Sequence, residues 1–255
     1  MRLFLNGFVF QLRLARHSAD TYRVCVTAPL LTVVFLAVNE YTGRTGLTAY
    51  GIVAPTLMSL WSMALSVAGT ALTEDRDLGT LEGQIAAPAP MAVTFLGRMC
   101  SVVIVGLVAF AETWLVAGAV FGRWLAVPHP VVLGACLLAT ALATAGTAGL
   151  LAPFFVLTPS ARTLQNTLTY PFYLLGGVLV PTGHLPDWLQ PASRAVFLSW
   201  GADLLRDSLA GPAVAHPLPR LLAVLALGAV GYSVGMVLLD RVVSRVRLTG
   251  SLSRT

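Results

Sequence analysis

The number and length of the apolar runs in this chain constrain its possible folds more than any other feature of the sequence. Of its 255 residues, 56% are hydrophobic and 11% are charged, whereas soluble domains carry about 25% charged residues. A helix that crosses a membrane needs about 20 mostly apolar residues, and a charge at its centre costs roughly 3 kcal/mol. Six runs approach this length, at residues 23–40, 50–72, 93–121, 131–157, 164–180 and 220–240. The sequence therefore predicts an all-α integral membrane protein with six transmembrane helices.

The arginines predict how these helices are oriented. All 16 basic residues are arginines, and basic residues concentrate on the cytoplasmic side of membrane proteins. With six spans both termini lie on one side, where eleven arginines also fall, and the other five fall on the opposite side. Those five are Arg44, Arg123, Arg194, Arg206 and Arg220. We therefore expect a multi-pass protein of the cell membrane with both termini in the cytoplasm.

The chain contains no lysine, and this absence limits its chemistry. A P-loop needs a lysine to reach the nucleotide phosphates, so any ATP hydrolysis is expected on a separate chain. The net charge of +5 is explained by arginines at the ends of the apolar runs, and no nucleic-acid partner is predicted. The three cysteines show neither CxxC nor Cys/His spacing, so no metal site is predicted.

Two segments outside the apolar runs are predicted to be helices that touch membrane lipids. In residues 1–22, Arg2, Arg13 and Arg16 fall on one arc of a helix, which predicts an interfacial helix in the lipid headgroup region. The alternative is a frayed cytoplasmic tail. Residues 181–219 are too polar to span and too apolar for a solvated loop, so they predict short extracellular helices with Trp188 and Trp200 as interfacial anchors.

The segment "EDRDLGTLEGQIAAPAP", residues 74–90, concentrates charge between two apolar runs on the predicted cytoplasmic side. Beside its charges, Leu78, Leu81 and Ile85 recur at helical spacing. This pattern is typical of a short helix, here over 73–90, that docks into the groove of a partner. A solvated turn between two spans is the alternative.

Polar and small residues inside two apolar runs are candidate functional positions. Glu112 lies in the middle of its run, and an intramembrane carboxylate indicates a substrate path or a helix interface. A structural hydrogen bond to a neighbouring helix is the alternative. The fifth run offers a second set with the same two interpretations, substrate path or helix packing. Its members are Tyr170, Phe172, Tyr173, Gly176 and Gly177.

Two stretches resemble the ABC-2 type transporter permeases, with the closest similarity to the daunorubicin-resistance, drug-efflux-like branch. The first is "EDRDLGTLEGQIAAPAP", which is similar to that family's Glu-Arg-Glu-x-Gly-Thr-Leu-Glu…Pro segment. The second is "YPFYLLGGVLVPTGHLPDWLQPASRAVFLSWGADLLRDSL", which looks like its apolar-Gly-x-x-x-Pro…Leu-Pro-x-Trp-Leu region between the fifth and sixth spans. The acidic excess at Asp75 and Asp77 departs from the family pattern.

The resemblance implies a permease subunit that carries no cofactor and no catalytic residue. A separate ABC ATPase subunit uses ATP and Mg²⁺, and a second permease copy or a sister permease completes the transporter. The segment over 73–90 is then the coupling helix. Its ATPase-coupling positions are Glu74, Arg76, Gly79, Thr80 and Glu82. The cargo expected is an amphipathic drug, natural product or lipid, moved out of the cell.

Two other classes of function stay open from the residues alone. One is an ion-coupled carrier that uses Glu112. The other is a membrane-embedded enzyme that acts on a lipid-linked substrate. Such enzymes need clustered acids, histidines or metal ligands, and the acidic cluster at 74–82 has no His or Cys beside it.

Overall fold

The computed structural model of the chain describes residues 2–16, 18–43, 47–77, 91–157, 161–211 and 213–249. Within these ranges the regular elements are helices, and no strand occurs. They are α1 (Arg2–Ala15), α2 (Ala19–Tyr41), α3 (Thr48–Asp77), α4 (Met91–Phe121), α5 (Pro130–Leu157), α6 (Ala161–Leu175), a 3-10 helix (Thr182–His184), α7 (Gln190–Arg194), α8 (Phe197–Leu209) and α9 (Pro217–Thr249).

Four of these helices contain a described segment that is long and apolar enough to cross a membrane: Thr21–Tyr41, Thr48–Gly69, Pro130–Phe154 and Pro217–Arg241. The corresponding segment of α4 is shorter, Leu107–Phe121, and α6 has 15 residues, fewer than the roughly 20 that a span requires. The predicted all-α membrane fold is confirmed in this coarser form. The count of six spans stays a prediction.

The helix of the fifth apolar run ends earlier than expected, at Leu175 rather than 180. Gly177 has φ +63°, a left-handed conformation that stops a helix and suits glycine. The Val178 N–H then donates to Tyr173 O at 3.1 Å, which satisfies a terminal carbonyl. The chain turns from here into the 3-10 helix.

The other predicted segments also have different limits in the structure. Within the expected interfacial helix at 1–22, α1 ends at Ala15, and residues 19–22 belong to α2. Ser18 separates the two helices as the N-cap of α2, and its Oγ accepts from Thr21 N at 3.2 Å. Residues 73–77 continue α3 to Asp77, and 78–90 lie outside the described residues.

The bundle is organised around α3, which contacts α2, α4, α5, α6 and α8. In the apolar stretch of α3 that could cross a membrane, 89% is buried within the protein, compared with 22% of the corresponding stretch of α2 and 28% of that of α9. Hydroxyl groups are tolerated on this central helix because they bond locally: Thr56 Oγ1 donates to Ile52 O at 2.8 Å and also lies 3.0 Å from Thr113 Oγ1 on α4. The two outer helices α2 and α9 therefore present most of their surface to lipid or to another protein.

The α5–α9 pair is packed through glycine. Gly146 of α5 and Gly228 of α9 face each other so closely that a Cβ on either one would overlap the backbone of the facing helix. Two turns further along, a Cβ on Gly235 would lie 2.5 Å from Gly149 O and 2.6 Å from Leu150 Cα. In lipid, apolar side chains gain no hydrophobic free energy by packing together, so membrane helices associate through close van der Waals contact. Small residues permit that contact because the two backbones can approach each other.

Helix α1 packs on the first turns of α4. Gly7 lies against Thr94, and a Cβ on Gly97 would overlap the backbone of Phe4. The buried Arg98 donates from Nε to Gln11 Oε1 at 3.0 Å. Among the side chains of α1 that the structure describes, the exposed apolar ones are Leu5, Val9, Phe10 and Leu14.

Candidate functional site

A cavity of about 370 Å³ lies between α2, α3 and α6. Its size falls in the range of small-molecule sites, roughly 300–1,000 Å³. Its polar lining comes from all three helices and consists of Arg23, Thr27, Ser59, Ser62, Asn166 and Thr169. The two tyrosines of α6 that the sequence singled out, Tyr170 and Tyr173, complete the polar part of the wall.

Some of these hydroxyl groups are already bonded to the protein. Tyr173 OH donates to Met58 O at 2.8 Å, and Thr27 Oγ1 donates to Arg23 O at 2.6 Å. Ser59 differs, since its Oγ is buried and has no hydrogen-bonding partner among the residues that the structure describes. A buried polar atom without a partner is unusual in proteins. Ser59 Oγ is therefore an unsatisfied polar atom in the wall of the cavity, and its own surface is closed to water-sized molecules.

The remaining candidates of α6 serve the packing around the cavity. Phe172 stacks on the fully buried Trp61 of α3, with ring centroids 4.3 Å apart. Gly176 lies against Leu198 of α8, where a Cβ would be 2.7 Å from the leucine Cβ. Gly177 ends α6 with its positive φ. Of the five residues grouped by sequence, two line the cavity and three shape the helix end and its contacts.

Glu112 lies apart from this cavity. Its carboxyl group is next to the Cys25 thiol of α2, and its Oε2 is buried with no hydrogen-bonding partner in the described part of the chain. The neighbouring Thr113 joins α4 to α3 through Thr56. The position of Glu112 at the α2–α4 contact is thus defined, while its role in transport or packing stays a prediction.

Two of the five predicted ATPase-coupling residues lie within the described helices. Glu74 and Arg76 are on the last turn of α3, which ends at Asp77. The other three, Gly79, Thr80 and Glu82, lie outside the described residues. The spanning segment of α3 is the most buried of the four, and α3 contacts α2, α4, α5, α6 and α8 directly.

An ionic cluster at the α8 end of the bundle was not anticipated from the sequence. Its centre is Arg206, which is 7% exposed. The Arg206 guanidinium donates to Gly177 O and, at 3.4 Å, to Val178 O, and lies 4.1 Å from the ring centroid of Tyr50 on α3. Burial lowers the pKa of Arg206, while the adjacent Tyr50 and Asp203 oppose that shift.

Carboxylates extend this cluster to the neighbouring segments. Asp203 pairs with Arg206 at 3.3 Å and with Arg194 at 3.5 Å, and accepts from Thr182 Oγ1 at 3.3 Å. Arg220 at the start of α9 pairs with Asp207 at 2.6 Å. The i, i+3 spacing of Asp203 and Arg206 is the signal in the sequence for this cluster, but it does not identify the carbonyl groups that Arg206 binds. The cluster connects α3, α8 and α9 with the chain that follows α6.

Comparison with known proteins assigns the chain to a family. No curated protein sequence matches it. The sequence profile described as ABC-2 type transporter matches residues 11–210, which is most of the chain and includes α2 to α8 together with the segment at 74–90. The resemblance noted in the two sequence stretches is thereby confirmed at the level of the family. With its apolar spanning helices, this membrane protein belongs to the ABC-2 type transporter family.

Proposed function

We propose that the chain is the permease subunit of an ATP-driven exporter that moves an amphipathic drug, natural product or lipid out of the cell. Family membership over residues 11–210 is the observation that carries this proposal. The cavity between α2, α3 and α6 supports it, since hydroxyl groups and aromatic rings meet there inside an apolar bundle. A path of this composition suits molecules with one polar and one apolar part.

The proposed transporter contains two permease subunits, either two copies of this chain or one copy with a sister permease. ATP and Mg²⁺ bind to separate ATPase subunits, in keeping with the absence of lysine from this chain. The ATPase contacts the segment at 73–90, and its closure moves the end of α3. Because α3 contacts both cavity-forming helices α2 and α6, such a movement changes the shape of the cavity.

Charge reversal tests this coupling. We expect Arg76→Glu combined with Glu82→Arg to lower the amount of ATPase that co-purifies with the permease at least roughly tenfold, because a charged contact that loses its complement costs about 2–5 kcal/mol. The amount of permease in the membrane fraction is expected to stay the same, since the substituted residues lie outside the apolar runs. Affinity purification from co-expressing cells, followed by quantitative immunoblotting, measures both amounts.

Glu40→Arg is the matched control. Glu40 is exposed on the last turn of α2, at the opposite end of the bundle from Asp77, so its reversal should leave ATPase recovery unchanged. Equal recovery of the ATPase with the wild type and the double variant would contradict the assignment of 73–90 as the coupling helix.

The proposed orientation places both termini in the cytoplasm of a plasma-membrane protein and the 3-10 helix outside. A Cβ added at Gly183 would meet no described atom within 4 Å, so Gly183→Cys adds a reachable thiol. In a background without Cys25, Cys100 and Cys136, a membrane-impermeant maleimide should label Gly183→Cys in intact cells. Ser253→Cys should be labelled only after permeabilisation, and the reverse pattern contradicts the orientation.

The exposed apolar side chains of α1 support the proposal that this helix lies in the lipid headgroup region. Leu5 and Phe10 are 47% and 55% exposed, while Arg13 on the same helix is exposed as well. Such a combination is typical of helices at a membrane surface. Glu112 does not line the cavity, and its part in a substrate path or in a helix interface stays a prediction.

A further inference from the structure

The polar groups of the cavity between α2, α3 and α6 are nearly all uncharged. Among the described residues, its lining has hydroxyl groups and one amide but no acidic residue, and Arg23 is its one charged member. Arg23 is exposed at the start of α2 and already takes part in another interaction. A charged group that leaves water is stabilised chiefly by a partner of opposite charge. The described lining offers one such partner for an anion, Arg23, and none for a cation.

The uncharged groups form two rows on facing helices. Ser59 and Ser62 are three residues apart on α3, and Asn166 and Tyr170 are four residues apart on α6, so each pair occupies one helix face. Hydroxyl and amide groups can each donate and accept a hydrogen bond. Ser59, which is 4% exposed and has an Oγ without a partner in the described chain, lies in one of these rows.

The rest of the lining is apolar. Val24, Leu31 and Met58 contribute aliphatic surface, and Tyr173 presents its ring because its hydroxyl is bonded to Met58 O at 2.8 Å. A guest that fills the cavity therefore meets hydrogen-bonding groups on one part of its surface and hydrocarbon on another. The volume of about 370 Å³ accommodates a head group of the size of one sugar with part of an apolar chain.

We infer that this cavity binds an amphiphile whose polar head is uncharged and rich in hydroxyl or ether oxygens, of the glycoside or polyol class. The inference rests on the proposed export function, since it takes the guest to be the cargo. Ser62, Asn166 and Tyr170, whose side chains are exposed, exchange hydrogen bonds with the head. A cationic head is disfavoured because the described lining offers no acid. An anionic head has one charged partner there, Arg23, which is exposed and already engaged in another interaction.

Photolabelling tests this inference on the full chain in nanodiscs of neutral phospholipid. The probes are dodecyl glucoside, dodecyl phosphate and dodecylammonium, each with a diazirine at the same carbon near the head. We expect the glucoside to label peptides that contain Ser59 and Asn166 roughly tenfold more than either ionic probe, because a charged head loses more hydration than a neutral one when it enters the cavity. Mass spectrometry locates the label, and excess unlabelled dodecyl glucoside should displace it.

A matched pair of variants separates the hydrogen-bonding groups from general changes in α6. Ser62→Ala with Asn166→Ala removes two polar groups of the cavity and should lower glucoside labelling by roughly tenfold. Thr167→Ala is the control, since Thr167 is exposed next to Asn166 and its hydroxyl donates within α6, to Thr163 O at 2.9 Å. This control should be labelled like the wild type.

Three outcomes would overturn the inference: equal labelling by the three probes, preference for an ionic probe, or glucoside labelling confined to lipid-facing residues. Displacement of the photolabel by unlabelled dodecyl glucoside in the wild-type protein provides a measurement that does not depend on any variant. The labelling needs no ATPase. Its failure is therefore distinct from a failure of the proposed function, which the charge-reversal experiment on Arg76 and Glu82 detects separately.

Discussion

Replacing Arg206 by methionine is expected to lower the free energy of unfolding in detergent micelles by about 3 kcal/mol. The substitution keeps most of the side-chain volume but removes the guanidinium. Gly177 O and Val178 O then lose their donor in a buried environment, and Asp203 keeps only the more exposed Arg194 as its ionic partner in the described chain. A buried acceptor without a donor costs the full desolvation of that group.

The position of Arg206 explains why a single side chain has so large an expected effect. Its guanidinium contacts the chain just after α6, the start of α3 and Asp203 of α8 at the same time. Loss of the guanidinium therefore releases three segments rather than one. Arg206→Lys keeps the charge but cannot reproduce the planar fork of donors, so its stability should lie between those of the wild type and Arg206→Met.

Arg194→Met is the matched control for this prediction. The Arg194 side chain is 48% exposed, and it pairs with the same Asp203 at 3.5 Å. Exposed ion pairs contribute only about 0.2–1 kcal/mol, so this variant should lose much less stability than Arg206→Met. Thermal unfolding of both purified variants, followed by the loss of the monodisperse peak on size-exclusion chromatography, compares them. Equal losses for the two variants would show that Arg206 is no more than a surface ion-pair member.

The second large effect is expected at the α5–α9 interface. Gly228→Ala combined with Gly235→Ala should lower the free energy of unfolding by about 4 kcal/mol, since overpacking costs about 1–3 kcal/mol at each site. The two methyl groups would meet backbone atoms of α5, which cannot rotate away as a side-chain end can. The sites lie about 10 Å apart along α9, so their effects should add.

Gly134→Ala on α5 is the control for the glycine substitutions. A Cβ at Gly134 would meet no described atom within 4 Å, and alanine is favoured over glycine in a helix by about 1 kcal/mol. This variant should therefore be as stable as the wild type or slightly more stable. If the two α9 substitutions also left the unfolding temperature unchanged, α5 and α9 would have to be further apart than in the structure.

The class of protein and the approximate helix positions could be predicted from the sequence. Apolar runs and their polar interruptions are local properties, and they placed five of the six predicted helices within or close to α2, α3, α4, α5 and α9. The exception was the fifth run, whose helix ends at Leu175 because Gly177 adopts a positive φ. Apolar composition alone does not indicate such a stop, since 176–180 continue the run.

The candidate site could be predicted only in part. Tyr170 and Tyr173 were grouped with Phe172 because they are neighbours in sequence, yet Phe172 stacks on Trp61 while the tyrosines line the cavity. Ser59 and Ser62 were not singled out, although a pair of hydroxyl residues three positions apart within an apolar run was the available signal. Ser59 and Ser62 line a cavity because Asn166, about a hundred residues later in the sequence, lies on the facing helix.

By itself, the sequence determined that this chain is a helical membrane protein of the ABC-2 type, because length, hydropathy and motif order are readable along the chain. Only the tertiary structure decided which faces of the helices meet. It places Ser59 in the same cavity wall as the polar residues of α6, and Glu112 beside Cys25. It also places Arg206 against the residues that follow α6. The physical reason is that lipid is as apolar as a protein interior. A hydropathy pattern therefore cannot distinguish the packed face of a membrane helix from its lipid-facing side.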